Sequence, residues 1–231
     1  MPISIEHVHT QADAGNATTT TVTSITVEGG EILLAFVACG DATDADREDV
    51  DSLTWNSAAE AFTEVTSTLI NDATNNIFTV AYILTNPSPT TASVVATWGG
   101  AVDDRAVAVL VIKGVDKVSA VNVSDNQDDA NDASPAPALT PTIADTVCIA
   151  GHMMNVATAR VVDNTERWDV AMTAGDFFGQ SVAVPVGAAT ALGYTVTGGA
   201  GTEDHVSSLV ALRPREHHSI GHRGRERGVR R

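Results

Sequence analysis

The chain has 231 residues, 43% of them apolar but only 4% aromatic, and a formal charge of −16. That length suffices for one large core, and the lack of an uncharged apolar run of about 18 residues argues against a membrane-spanning helix. The opening MPISIEHVHTQADAG has neither the basic start nor the apolar segment of a secretion signal, so none is expected.

The charge is unevenly spread. Residues 1–212 carry six basic and 27 acidic side chains, whereas residues 213–231 carry seven Arg and two Glu. An acidic body repels nucleic acid and favours solubility. The two cysteines, Cys39 and Cys148, each lie in an apolar segment. They are expected as buried thiols, not as a disulfide framework.

Residues 1–21 are polar and Thr-rich and read as an extended N-terminal arm outside the core. Within it, His7 and His9 fall on one side of an extended chain; with no third protein ligand in view, solvent-exposed histidines are expected and no metal site is assigned. Residues 22–212 read as the folded domain. Thr23–Val27, a Glu28-Gly29-Gly30 turn and Glu31–Cys39 open it, and the nearly unbroken apolar run EILLAFVAC predicts a strand covered on both faces. Asp41–Asp51 holds six carboxylates in eleven residues but lacks the ligand order of a calcium loop, and a solvated acidic loop is expected. Leu53–Asn56 and Ala61–Ser67 read as a short hairpin around Ser57–Glu60.

Phe78–Lys113 reads as three strands, Ile77–Thr85, Ala92–Trp98 and Arg105–Ile112. Turns are expected at Asn86-Pro87-Ser88-Pro89 and at Gly99-Gly100. Ser124–Pro141, with four Asp and three Pro, reads as an exposed linker or as an ordered crossover on the sheet surface. Thr146–Met153 resembles Glu31–Cys39 in type, Arg167–Thr173 is a further strand, and Phe177–Leu212 closes the set. Shifted by 99 residues, Phe78–Lys113 lies on Phe177–Leu212 with nine identities in 36 pairs, among them Phe78/Phe177, Thr91/Thr190, Ala92/Ala191 and Val107/Val206. Either a duplication or the general likeness of Ala/Val/Thr/Gly-rich meanders accounts for this. The predicted fold is all-β: an antiparallel β-sandwich, jelly-roll-like, built from two half-sets of four or five strands.

The chain has no nucleophile elbow, zinc-protease helix, phosphate loop or Cys-x-x-Cys pair. His152 on an apolar strand is expected as a satisfied core residue, and no catalytic residue, cofactor site or metal site is assigned. Trp55, Trp98 and Trp168 fit either a sugar-binding face or ordinary core use. The most informative segment is the C-terminal tail, residues 213–231, whose Arg213, Arg215, Arg223, Arg225, Arg227, Arg230 and Arg231 are spaced by glycines without an apolar stripe. Such a tail suits an acidic surface on another subunit, nucleic acid or a solubility role; the first reading is taken.

Ser24-Ile25-Thr26-Val27-x-Gly29-Gly30-x-Ile32-Leu33-Leu34, the Leu53-Thr54-Trp55-Asn56 hairpin, Val80–Leu84 with its Asn86-Pro87 turn, and Val109–Asp116 together resemble a β-sandwich domain of tailed-bacteriophage virion structural proteins. The likeness spans roughly Thr23–Leu212. It implies a capsid cement or decoration protein on the virion surface, made in the host cytoplasm and bound to the major capsid protein or other virion subunits as a homotrimer. A tail-fibre or adhesin module binding host glycans is the alternative. No catalytic residues come with the resemblance, and the Arg-rich tail and Asp-rich linker lie outside it.

Overall fold

In the computed structural model, residues 2–40, 50–57, 60–129, 132–156, 159–173, 175–184, 189–197 and 203–216 are described. The first half of the chain forms β1 (Ser4–Val27), β2 (Ile32–Gly40), β3 (Val50–Trp55), β4 (Glu60–Ala61), β5 (Thr63–Glu64), β6 (Ile70–Asp72), β7 (Ile77–Leu84) and β8 (Thr90–Lys113). The second half forms β9 (Val121–Asp129), β10 (Ala138–Leu139), β11 (Thr146–Met154), β12 (Arg160–Val162), β13 (Thr165–Met172), β14 (Gly175–Val184), β15 (Thr190–Ala191), β16 (Tyr194–Val196) and β17 (His205–Leu212). Every pairing is antiparallel, and no helix occurs among the described residues.

The result is an all-β sandwich. Side-chain alternation along β2 explains why it is apolar throughout. Ile32, Leu34, Phe36 and Ala38 face the opposing sheet, whereas Leu33, Ala35, Val37 and Cys39 face a second core inside the first half. Both faces are covered, as the unbroken run predicted.

The two half-sets are segregated, one to each main sheet, so the chain passes between the sheets once, through residues 114–120. In this respect the winding differs from a jelly roll, whose strands alternate between sheets. The halves share one topology. In the first, the order is β1-β8-β2-β7 with β5 and β6 on the far edge; in the second it is β9-β17-β11-β14-β13. Phe78 pairs with Cys39 on the central strand of its sheet, and Phe177 pairs with Met153 on the central strand of the other. The smaller pairings repeat as well. Thr91 and Ala92 face Thr26 and Ile25, while Thr190 and Ala191 face Leu139 and Ala138.

The sheets stack so that β1 lies over β13 and β6 over β9, which are topologically equivalent contacts crossed over. Their shared core includes Leu34, Phe36, Ile149, Met153, Trp168, Phe177 and Leu212.

Three expectations need correction, and one open alternative is decided. Residues 4–21 are extended but do not project; they belong to β1, which pairs along β8 from Ser4 opposite Lys113 to Val27 opposite Thr90. A bulge between Ile5 and His7 breaks the two-residue alternation there, yet Ile3, Ile5, Val8 and Ala12 all pack on the shared core. Gly99-Gly100 makes no turn, because β8 runs straight through it. The strand serves β3 with its first part and β2 with its last, and the sheet thereby curls around its own core. Only the first strand of the hairpin after Leu53 pairs as expected, with β4; β5 then leaves to join β7.

Lastly, Ser124–Asp129 belongs to edge strand β9. The prolines that follow form a ribbon in which Ala133, Pro135 and Pro137 carbonyls accept the Val196, Tyr194 and Leu192 N–H groups. Proline donates nothing, so it is tolerated where only its carbonyl is needed. The ordered crossover is therefore the correct alternative for this segment. Most of the acidic loop, residues 41–49, lies outside the described residues.

Candidate functional site

Two places concentrate polar chemistry. The first is the pole where the chain passes from one sheet to the other. Gly114 has a φ of 80°, and an added Cβ there would collide with the Pro2 carbonyl. The Gly114 carbonyl accepts the Arg215 N–H at 2.7 Å, and Val115 bridges Pro214. Asp116 N–H donates to the Arg213 carbonyl at 2.9 Å, and Arg213 N–H donates to the Ala120 carbonyl at 2.7 Å. The start of β1 and the root of the C-terminal tail are thus clasped on the same short connection.

Beside them runs a cleft. One part, about 710 Å³, is lined by Ile3, Ile5, Val182, Asp163 and Arg167; the adjoining part, about 680 Å³, by Pro2, Val147, Ala183, Pro214 and Arg215. Of the predicted tail residues, Arg213 is half-buried and Arg215 exposed. Arg223, Arg225, Arg227, Arg230 and Arg231 lie outside the described residues.

The second place is the outer core of the second half. His152, Gln180, Ser207 and His205 are each 0% exposed, and Tyr194 is 1% exposed. The Gln180 Nε2 amide donates to the carbonyls of Leu192 at 2.7 Å and Gly193 at 3.0 Å, and lies 3.1 Å from His152 Nε2. The amide has two hydrogens for three acceptors, the Leu192 and Gly193 carbonyls and His152 Nε2, and no lone pair to offer; His152 Nε2 therefore faces it without a proton, and the ring proton sits on Nδ1, donated to Ser207 Oγ at 2.8 Å.

The serine therefore accepts from this histidine. A general base needs the reverse, with a free imidazole nitrogen taking the hydroxyl proton. Burial, then the nearby Arg160 and His205, push the His152 ring down to about 3. It is the satisfied core residue that its apolar strand suggested.

Tyr194 hydroxyl donates to His205 Nδ1 at 2.7 Å, and His205 Nε2 donates to the Asp132 carbonyl at 2.8 Å. Arg160 stacks 3.7 Å from the Phe178 ring centre and pairs with Asp169 at 2.6 Å and Asp176 at 3.0 Å. Gln180, His205, Tyr194 and Arg160 carried no signal in the sequence, because the contacts joining them connect distant strands.

Trp55, Trp98 and Trp168 are 0%, 1% and 5% exposed. They belong to the cores and offer no sugar-binding face. His7 is exposed and His9 half-buried, with ring centres 6.2 Å apart, and no group of three potential metal ligands occurs among the described residues. Glu31, buried at the start of β2, is raised by burial. It is nonetheless held below the usual carboxylate range by the Gly29 N–H, its own N–H and Lys113.

No protein-family model matches the chain, and no curated protein matches it.

Proposed function

We propose that this chain is a non-enzymatic structural protein of a virion, a capsid cement or decoration protein that grips neighbouring subunits through its Arg-rich tail. The observation carrying this reading is the clasp at Gly114. It anchors the root of the tail, Arg213–Arg215, on the body beside an open cleft. The tail concentrates seven of the chain's thirteen basic groups beyond an acidic body, a separation that suits contact with an acidic neighbour. Many copies along a shell turn modest contacts of this kind into avidity. The N-terminal segment is not a second grip in this account, because Ser4–Val27 is already committed to β8.

The resemblance of Thr23–Leu212 to phage sandwich domains supplies the virion context, the homotrimeric state and the major capsid protein as partner. The test compares full-length protein with a chain cut after Glu216, both added to purified shells lacking the protein. Lower occupancy of the cut chain at equal concentration supports the reading, and equal occupancy overturns it. Sedimentation of the free protein reads the oligomeric state directly. The glycan-binding alternative has lost its proposed contact residues, since all three tryptophans are buried.

A further inference from the structure

The outer layer of the second half packs on its main sheet through Leu139, Leu192, Tyr194 and Val196, and between these apolar contacts it is also joined by buried polar groups, which the first half lacks at the matching strands. On β2 and β8 of the first half, Val37 pairs with Val107, and both enter a core closed by Trp55 and Trp98. The equivalent strands of the second half, β11 and β17, pair His152 with Ser207, and the layer above is reached through Gln180 and His205.

Gln180 is the joint. Its amide N–H groups hold the Leu192 and Gly193 carbonyls, its Oε1 accepts from Asn164 Nδ2 at 3.1 Å, and its Nε2 lies against the bare nitrogen of His152. A proton arriving at His152 Nε2 would oppose two donors across 3.1 Å. Turning the amide over relieves that conflict but withdraws both N–H groups from Leu192 and Gly193, and sets Nε2 against the Asn164 donor. Once the ring is charged, the amide must either face a like donor or give up both carbonyls.

We propose that His152 and Gln180 form an acid-operated latch: protonation of the His152 ring releases the Leu192–Gly193 segment, so that the outer layer of the second half lifts while the two main sheets stay joined. His152 takes a proton from solvent and no covalent bond changes. Linkage requires only that the open layer binds a proton which the closed layer refuses.

The surroundings of His152 all oppose its charging in the closed state. From β17 it meets the Ser207 hydroxyl, from β14 the Phe178 ring at 4.9 Å and Gln180, and from β16 the Tyr194 ring at 4.9 Å. The cation of Arg160 on β12 acts on the ring as well, and its own carboxylates are Asp169 on β13 and Asp176 on β14. His205 on β17 is the second joint, bonded to Tyr194 and to the Asp132 carbonyl, with Asp129, Glu203 and Asp204 around it. Burial lowers His205 despite those acids, and His152 lies far below the ordinary value of 6.5. Both rings are neutral when the layer is closed, so the closed layer loses stability progressively as pH falls below about 6.5 toward the depressed values.

The experiment is hydrogen exchange of the full chain, corrected for intrinsic rates, at about pH 7 and about pH 4.5. The amides of Leu192, Tyr194 and Val196, which bond Pro137, Pro135 and Ala133, are expected to lose about ten-fold or more in protection, while β2 keeps its own. Imidazole ¹⁵N shifts should show His152 gaining its proton over the same range. His152→Leu should flatten the profile, leaving only the His205 component. Gln180→Glu, which cannot donate to Leu192 or Gly193, should exchange at neutral pH as the wild type does in acid. Unchanged protection of residues 192–196 at about pH 4.5, or loss of protection in β2 at the same pH, overturns the latch. Should either variant fail to fold, the wild-type profile and the ¹⁵N titration decide alone.

Discussion

Gly151 on β11 lies directly under the Phe36 ring of β2, at the middle of the interface between the two halves. An added Cβ at Gly151 would come within 2.5 Å of the ring, and one at Gly179 within 2.1 Å of Trp168. The two glycines are partners across β11 and β14, and the rings they seat have centres 5.3 Å apart. Two missing side chains in one sheet thus make room for a buried aromatic pair, one ring from each half. Gly151→Ala and Gly179→Ala are each expected to destabilise by roughly 1–3 kcal/mol through overpacking. Denaturant midpoints check this; unchanged midpoints would mean that the rings move aside freely.

Cutting the chain after Glu216 should leave the thermal midpoint where it is, because the tail root keeps its backbone bonds to Gly114, Asp116 and Ala120. Cutting after Leu212 removes three such bonds and the contact of Pro214 with Val115, at about 1 kcal/mol per bond. The second cut should lower the midpoint by several degrees relative to the first. Calorimetry of the two truncations gives the comparison, and equal midpoints would mean that the clasp contributes nothing.

Glu31 is 2% exposed and pairs with Lys113 at 3.2 Å. Its folded carboxyl is held below the ordinary value of 4.5, so it stabilises the fold above that pH and the contribution is lost as pH falls through the depressed value. Lys113→Met is expected to lower the midpoint at neutral pH, with the gap between variant and wild type narrowing in acid as Glu31 becomes protonated. A gap that stays constant from neutral pH to acid would separate the loss from this ion pair.

Burial pushes the Cys148 thiol up to about 12, and both Cys148 and Cys39 are fully buried outside any disulfide. Native protein at mildly alkaline pH should react with a thiol reagent only as fast as it opens, and fully only in denaturant. Rapid reaction of either thiol in the native state would place it at an accessible surface instead.

Much of the architecture was legible because it rests on local alternation and turn chemistry. The apolar run of β2, the Gly29-Gly30 turn with φ values of 118° and 87°, and the buried His152 all follow from neighbours in sequence. The two sheets do share a strand order, but the identity Phe78/Phe177 does not mark one place in it: Phe78 enters the first half's own core and Phe177 the core shared between the sheets. Where the period failed, reading failed with it. The bulge beside His7 hid the docking of β1, and the continuity of β8 through Gly99-Gly100 depends on partners from three other strands.

The sequence by itself determined an acidic all-β chain with two like sets of strands, buried thiols and a basic end, since composition and two-residue periodicity are properties of the string. Only the tertiary structure decided which sheets face each other, that Pro2 and the Arg213–Arg215 segment meet at Gly114, and that Gln180, His152, His205 and Arg160 share one cluster. Those are contacts between residues tens of positions apart, and antiparallel register, which no local signal encodes, is what brings them together.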